Sequence, residues 1–176
     1  FPKANIHKGI ERTSLPFEDG SFDLVVDCMS WHWINDLPQA LMEIKRILSP
    51  QGLMLSGFFG EKTLTELRQA FLEQDLNVFQ GAAQRVAPMA QAQTLGELML
   101  SCGFKDPILD LKSISVHYSS LRGLLNDLRL MGERGYLYRS QPLLSLNRFY
   151  YRGLEDIYRQ RFKTPDGKLP ATFDVI

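Results

Sequence analysis

Several residue types that would point directly to a function are scarce in this sequence. It contains two cysteines and three histidines, and none of them forms a CxxC, HxxxH or HxD pair. The spacing therefore gives no indication of a dedicated zinc or iron site. Lysine plus arginine equals aspartate plus glutamate at 20 each, so no global positive field indicates a nucleic-acid partner. No apolar run approaches the roughly 20 residues needed to span a bilayer.

The two cysteines are also far apart in the chain. Cys28 and Cys102 both lie in apolar segments, which predicts buried, reduced thiols in a reducing compartment rather than a disulfide. With 176 residues, the chain is long enough to form one core of ordinary size.

The most informative stretch is residues 15–57, whose pattern is strand, loop, helix, turn and strand. Residues 22–28 (FDLVVDC) are apolar and rich in β-branched valine, which predicts a strand buried on both faces of a parallel sheet. Residues 38–48 place leucine and isoleucine at three- and four-residue spacing, which predicts a helix with Asp36 as its cap. A second strand is predicted over residues 53–59, after a Ser-Pro-Gln-Gly turn.

This compact strand–helix–strand unit predicts a parallel strand pair with a right-handed crossover. Ligands of such sheets bind beyond the carboxyl ends of the strands. That edge is predicted to comprise residues 27–33 (DCMSWHW) and 57–60 (GFFG). We therefore expect these two segments to line one crevice.

The rest of the chain predicts more helices and two further strands, without a linker or an internal repeat. Helical patterns cover residues 63–79, 94–103, 120–131 and 145–162, and strand patterns cover residues 108–118, with a break of phase, and 169–176. The helix at 145–162 is aromatic and carries several arginines. Such a helix either docks a protein partner or acidic carrier, or is simply an amphipathic surface helix.

These residues resemble a known family. The segments LPFEDGSFDLVV and SWHWINDLPQALMEIKRILSPQGLMLSGFFG resemble the second half of the class I S-adenosylmethionine-dependent methyltransferases. The segments LLNDLRLMG and PDGKLPATFDVI narrow the resemblance to one subfamily. That subfamily is similar to the malonyl-acyl-carrier-protein O-methyltransferases of biotin synthesis. It resembles even more closely the methyltransferase-like proteins that hydroxylate an arginine and assist mitochondrial complex I assembly.

The resemblance implies a Rossmann-like α/β fold with a mostly parallel sheet that ends in an antiparallel strand. Residues 169–176 would be that final strand and residues 108–118 its neighbour. The glycine-rich loop and the acidic residue that cradle the cofactor in this family would lie upstream of Phe1. We therefore expect residues 1–176 to be the C-terminal portion of a single methyltransferase-like domain, truncated at the N-terminus.

The cofactor that the resemblance implies is S-adenosylmethionine. Glu11 and Arg12 stand where the family usually has Asp-Ala. The resemblance therefore implies that the Glu11 carboxylate accepts a hydrogen bond from the adenine amino group and that the Arg12 backbone donates to the ring. The alternative is that both residues are solvated loop charges, which is the commoner fate of such residues.

Asp27, Cys28 and Met29 end the first strand, where the resemblance implies contact with the methionine part of the cofactor. A carboxylate at Asp27 would attract the sulfonium cation. Alternatively, Asp27 caps the next turn while Cys28 and Met29 belong to the core. No base at recognisable spacing indicates that Cys28 is a nucleophile.

Trp31, His32 and Trp33 form the most unusual local feature. The two tryptophans are suited to an aromatic wall over the cofactor or a cationic substrate. His32 is then a cofactor contact or a general base, because its unperturbed pKa is near neutrality. In the alternative, Trp33 packs beneath the following helix and His32 hydrogen-bonds to the backbone.

Two functions follow from the resemblance. The first is an enzyme of the bacterial cytoplasm that transfers a methyl group from S-adenosylmethionine to a carboxylate on a small molecule or an acyl-carrier protein. The alternative is a complex I assembly factor of the mitochondrial matrix that hydroxylates an arginine of a protein subunit or acts as a chaperone. The sequence identifies neither the methyl acceptor nor a catalytic residue.

Overall fold

The computed structural model describes residues 14–30, 33–133 and 146–176, which divide into two compact units. The first unit comprises the described residues of Phe1–Phe59, Ala90–Leu111 and Ile176, and the second those of Gly60–Met89 and Lys112–Val175. The helices and strands of the described residues, in chain order, are β1 (Phe22–Cys28), α1 (Leu37–Ile47), β2 (Leu48–Gly57), α2 (Thr65–Phe79), α3 (Ala92–Ser101), β3 (Lys112–Tyr118), α4 (Leu121–Leu130), α5 (Arg148–Phe162) and β4 (Leu169–Val175).

The first unit contains the predicted strand–helix–strand motif. β1 and β2 pair in parallel, with Asp27 opposite Ser56 and Cys28 opposite Gly57, so the predicted parallel pair is confirmed. β2 begins at Leu48, directly after α1, rather than at residue 53. The register shifts near the start of β1, and this irregularity accommodates the predicted turn residues within the strand.

The N-terminus of helix α1 is stabilised by the residues from which it was predicted. The Asp36 carboxylate accepts a hydrogen bond from the Gln39 N–H at 3.1 Å, which confirms the predicted cap. Pro38 lies in the first turn. Backbone N–H groups in that turn have no acceptor within the helix, so the N–H that proline lacks costs no helical hydrogen bond. The buried residues of the first unit's core cluster are Ala40, Leu41, Ile44, Leu48, Phe58 and Leu95.

The burial of β1 differs from the prediction. Val25 on one face packs against the core cluster, but Leu24 and Val26 on the other face are 50% and 64% exposed. The expected burial of both faces is therefore wrong for the described chain. Cys28 shares the face of Val26, because side chains alternate along a strand, and it is exposed rather than buried. Cys102 is partly buried.

The second unit contains the predicted antiparallel pair. β3 and β4 pair along their whole length, and β4 packs against α2 and α5. The Tyr158 hydroxyl of α5 donates to the Pro170 carbonyl at 2.6 Å. β3 is shorter than predicted: it begins at Lys112, and Ile108 is 95% exposed. The break of phase in the sequence marks this boundary.

Polar caps define the starts of α4 and α5. The Ser120 hydroxyl accepts a hydrogen bond from the Gly123 N–H at 3.2 Å, so Ser120 is the N-terminal cap of α4. The Asn147 side chain accepts from the N–H groups of Phe149 and Tyr150 at 3.0 Å each. α5 therefore begins a few residues later than the sequence pattern predicted, because Asn147 satisfies the first free N–H groups.

The two compact units are defined by packing within this chain. That residues 1–176 form the C-terminal portion of one methyltransferase-like domain stays a prediction. Among the helices of the described residues, none combines the length and the apolar character that a bilayer crossing requires.

Candidate functional site

The carboxyl ends of β1 and β2 lie side by side because the two strands run parallel. Cys28 is paired with Gly57, and the N–H of Met29, one residue further on, donates to the Gly57 carbonyl at 2.6 Å. Residues 27–30 and 56–59 therefore share one edge, which we call the strand-end site. This is the edge at which open α/β sheets bind their ligands.

Asp27 supplies the carboxylate of the strand-end site. The Ser30 hydroxyl donates to one carboxylate oxygen, and the Ser56 hydroxyl donates to the other at 3.4 Å. Asp27 is only partly buried, and no lysine or arginine of the described residues forms an ion pair with it. A carboxylate that is held in place without a counter-charge suits a cationic ligand.

The backbone at Met29 is in a strained conformation. Its φ of +54° lies in the left-handed region, which costs a residue other than glycine about 1–3 kcal/mol. The Trp33 N–H donates to the Ser30 carbonyl at 3.2 Å. The strained turn brings Ser30 back toward Asp27, so the same backbone feature ends the strand and orients the carboxylate.

The structure brings three of the predicted cofactor contacts to the strand-end site: Asp27, Cys28 and Met29. Consecutive side chains of a strand point to opposite faces, so the partly buried Asp27 and the exposed Cys28 are on different sides of the sheet. Their assignment to the cofactor stays a prediction.

The other predicted contacts lie outside the described residues. These are Glu11, Arg12 and His32, and the neighbouring Trp31 is outside them as well. Their predicted roles stay predictions. In the part of the chain that the structure describes, no group of three or more histidine, cysteine, aspartate or glutamate side chains is arranged to hold a metal ion.

Ser56 is a site residue that the sequence reasoning missed. It lies opposite Asp27 in the parallel register and donates a hydrogen bond to its carboxylate. The predicted strands 22–28 and 53–59, paired residue by residue, would have placed Phe58 opposite Asp27. Only the observed register, which is shifted near the start of β1, places the Ser56 hydroxyl beside Asp27.

The second unit contains a contrasting carboxylate at Asp75, which is fully buried. Arg85 donates to both of its oxygens at 2.9 and 2.8 Å, the Ala83 N–H donates at 3.1 Å, and the Tyr150 hydroxyl donates at 2.5 Å. We call these four residues the Asp75 cluster. Burial raises the pKa of Tyr150, and the Asp75 carboxylate raises that pKa further, so the hydroxyl stays a neutral donor.

The Asp75 cluster has a structural role. It joins the segment that follows α2 to both α2 and α5, and the Arg85 guanidinium lies 5.4 Å from the centre of the Tyr150 ring. All the charge and hydrogen-bonding capacity of the carboxylate is directed inward. No sequence signal pointed to the cluster, because Asp75 and Tyr150 are 75 positions apart.

Comparison with protein families gives a match at the strand–helix–strand motif. The family described as "Methyltransferase domain" matches residues 4–56. This range includes β1 and α1 entirely and β2 up to Ser56, so the matched region contains residues 27–30 of the strand-end site and Ser56 from its other half.

Two relatives align with nearly the whole chain. Malonyl-[acyl-carrier protein] O-methyltransferase of Halorhodospira halophila is 37% identical over 164 residues, which cover 93% of this chain and 53% of the relative. Mitochondrial arginine-hydroxylase NDUFAF5 of Mus musculus is 35% identical over 161 residues, which cover 92% of this chain and 46% of the relative. The chain thus spans about half the length of these relatives.

Solved structures show the same fold at low sequence identity. A candidate methyltransferase of Bacillus halodurans aligns with a TM-score of 0.52 at 13% identity, covering 94% of this chain and 66% of that one. The YcgJ protein of Bacillus subtilis aligns with a TM-score of 0.55 at 14% identity, covering 94% and 65%. The predicted class I methyltransferase fold is therefore confirmed, and at these identities the likeness concerns the fold alone.

Proposed function

We propose that the protein is a class I S-adenosylmethionine-dependent methyltransferase that transfers a methyl group from S-adenosylmethionine to a carboxylate. The acceptor is a small molecule or an acyl group on a carrier protein, by analogy with the Halorhodospira relative. One observation carries the proposal. Asp27 presents a carboxylate without a counter-charge among the described residues, at the shared carboxyl end of two parallel strands.

The strand-end site fits the positively charged methyl donor. The Asp27 carboxylate would attract the sulfonium, and Met29 at the end of the strand would contact the methionine part. We assign Cys28, the last residue of β1, to the same part of the cofactor, although its side chain lies on the opposite face of the strand from Asp27. This donor set is anionic and apolar, as a cation with an aliphatic chain requires.

Three further contacts complete the proposed cofactor site. Glu11 would accept a hydrogen bond from the adenine amino group, and the Arg12 backbone would donate to the adenine ring. His32 would contact the cofactor beside the strand-end site. These assignments rest on the resemblance of the sequence to the family.

The chemistry makes few demands on side chains. S-adenosylmethionine supplies an electrophilic methyl group on a positively charged sulfur. The chain's contribution is to hold donor and acceptor in line and to exclude water from the attacking oxygen. An acceptor that is already a carboxylate needs no general base, so the absence of a recognised base in the sequence is compatible with the reaction.

A second candidate function is supported by the match to the mouse relative. That protein is named an arginine-hydroxylase, and its identity to this chain is close to that of the Halorhodospira enzyme. The alternative is therefore hydroxylation of an arginine in a respiratory complex I subunit, or a chaperone role in complex I assembly.

The two candidates predict different compartments and partners. The methyltransferase would act in a bacterial cytoplasm on a small molecule or an acyl-carrier protein, and the hydroxylase in the mitochondrial matrix on a protein subunit. Relatives of both origins match the chain. The absence of a nucleic-acid partner stays a prediction from the balanced charge.

Mass spectrometry separates these possibilities. The complete protein is incubated in air with S-adenosylmethionine, a reductant, and either malonyl-acyl-carrier protein or an arginine-containing subunit, so that methyl transfer and hydroxylation by dioxygen are both possible. A gain of one methylene group on the malonyl carboxylate supports the proposed function. A gain of one oxygen atom on arginine would favour the alternative. Co-purification with an unmodified subunit would favour a chaperone, and the methyltransferase proposal would then be abandoned.

A further inference from the structure

The second unit contains a groove lined by residues of α4 and α5. Its volume is about 560 Å³, which lies within the range of roughly 300–1,000 Å³ typical of small-molecule sites. We call it the α4–α5 groove. None of its lining residues belongs to the strand-end site or to the Asp75 cluster. Neither the proposed methyl transfer nor the Asp75 cluster therefore accounts for the groove.

The floor of the groove is apolar. Leu121 is buried at 1% exposure, and Leu125 lies one helical turn further along the same face of α4. Tyr151 of α5 is partly buried and adds an aromatic surface. Such a floor favours the hydrocarbon part of a ligand, because contact removes apolar surface from water.

The rim of the groove is cationic. Arg122 comes from α4, and Arg148 and Arg152 stand one turn apart on α5. All three are exposed, and in the described ranges none of them forms an ion pair with a carboxylate. The Arg148 guanidinium lies 5.2 Å from the centre of the Phe149 ring. Three like charges along one opening give a local positive potential although the chain is neutral overall.

The other charges of the groove do not cancel this potential. Arg159 and Glu155 form a pair at 2.8 Å, and Arg159 also donates to the Ser119 carbonyl at 3.0 Å. Asp156 is the remaining acidic residue of the lining, and it is exposed. Three rim arginines therefore face one carboxylate that is not already paired.

We propose that the α4–α5 groove binds a single-chain organic anion. Its phosphate or carboxylate head would pair with Arg122, Arg148 and Arg152, since guanidinium groups match the geometry of these oxyanions. Its hydrocarbon chain would lie on Leu125 and Tyr151. The same chemistry can come from a free acyl compound or from an acyl arm on an acidic carrier protein. The proposal concerns a second site, so it stands apart from methyl transfer.

Titration calorimetry without S-adenosylmethionine tests the groove directly. The probe is dodecyl phosphate below its micellar concentration, for which we expect saturable binding at one site. Arg122→Gln and Arg152→Gln should each weaken binding by about threefold, as expected for exposed ion pairs, and the double variant by about tenfold. Both arginines are exposed, so these variants should keep the unfolding midpoint of the parent.

Matched controls separate the groove from general surface charge. Arg129→Gln lies on α4 outside the groove and should leave the affinity unchanged. Leu125→Gln should weaken dodecyl phosphate but not inorganic phosphate. Equal losses in Arg129→Gln and Arg122→Gln would overturn the proposal. So would binding of inorganic phosphate, or of the uncharged dodecyl maltoside, as tightly as dodecyl phosphate.

A second titration identifies the source of the anion. Dodecanoyl-acyl-carrier protein and the carrier without its acyl group are compared with dodecyl phosphate. Tighter binding of the loaded carrier, weakened by Arg152→Gln, would identify the carrier as the source. Binding of dodecyl phosphate alone would identify a free anion. Binding of neither probe would end the proposal, whatever the outcome of the methyl-transfer assay.

Discussion

Asp27 and Asp75 show two opposite uses of a carboxylate in this molecule. Asp27, in the first unit, is partly exposed and is held by the hydroxyls of Ser30 and Ser56. Asp75, in the second unit, is fully buried and is bonded to Arg85. A buried charge needs a partner, because desolvation is otherwise too costly. A carboxylate bound only by neutral donors keeps its attraction for an external cation.

The largest expected effect comes from removing the buried carboxylate. Asp75→Ala leaves Arg85 and the Tyr150 hydroxyl without their acceptor, so we expect a loss of about 3–5 kcal/mol in the free energy of unfolding. Urea unfolding followed by circular dichroism measures it. As a control, Lys168→Gln removes the exposed pair with Asp166 and should cost less than about 1 kcal/mol. Equal losses would contradict a stabilising role for the Asp75 cluster.

Tyr150→Phe should give a smaller loss of stability that depends on pH. Removing the hydroxyl should cost about 1–2 kcal/mol near neutral pH. Folding raises the pKa of Tyr150, so its contribution is complete below the unfolded-state pKa of about 10 and declines as pH rises toward the higher folded-state pKa.

Unfolding measured at a series of alkaline pH values checks this dependence. The difference in stability between the parent and Tyr150→Phe should shrink above about pH 10. A difference that stays constant through the alkaline range would show that Tyr150 has the same pKa in the folded and unfolded protein. That result would contradict the rise in its pKa caused by burial and by Asp75.

Asp27→Asn should change ligand affinity rather than stability. We expect the Kd for S-adenosylmethionine of the complete protein to rise by about fivefold, because a partly exposed ion pair contributes about 1 kcal/mol. Calorimetric titration measures it. Asp23→Asn is the matched control, because Asp23 is an exposed carboxylate on the same strand that accepts from Ser49 at 2.9 Å. Equal changes in both variants would remove Asp27 from the proposed site.

Ser30→Ala should have the smallest effect. It removes one of the two hydroxyls that hold Asp27 but leaves the charge, so a rise in Kd of about twofold is expected. Ser21→Ala, which removes an exposed hydroxyl that donates to the Glu18 carbonyl, should leave the same titration unchanged. An affinity unaffected by Ser30→Ala would show that the carboxylate needs no such support.

The elements predicted best are those whose signals are local. The spacing of apolar residues and the Asp36 cap identified α1 within one residue at each end, and the continuous valine-rich apolar run identified β1. The start of β2 was missed because a Ser-Pro-Gln-Gly segment is a turn by local preference. In the folded chain β2 begins at Leu48, and the irregularity of its pairing with β1 falls within these residues.

The candidate site was predicted in position but not in detail. The strand ends could be placed at one edge because parallel strands imply it, and the structure confirms this for Asp27 through Met29. The hydroxyl of Ser56 and the Asp75 cluster were not predicted. Both depend on which residues meet in the folded chain. The positions of these residues in the sequence do not show that they meet.

The amino-acid sequence alone determined the order of the helices and strands and which edge of the parallel pair carries polar groups, because periodicity, caps and strand direction act over short distances. Tertiary structure alone decided that Asp75 is neutralised while Asp27 is not, and that Cys28 and Val26 stay exposed. Burial and charge compensation are properties of neighbours in space. A side chain acquires those neighbours only when distant parts of the chain pack together.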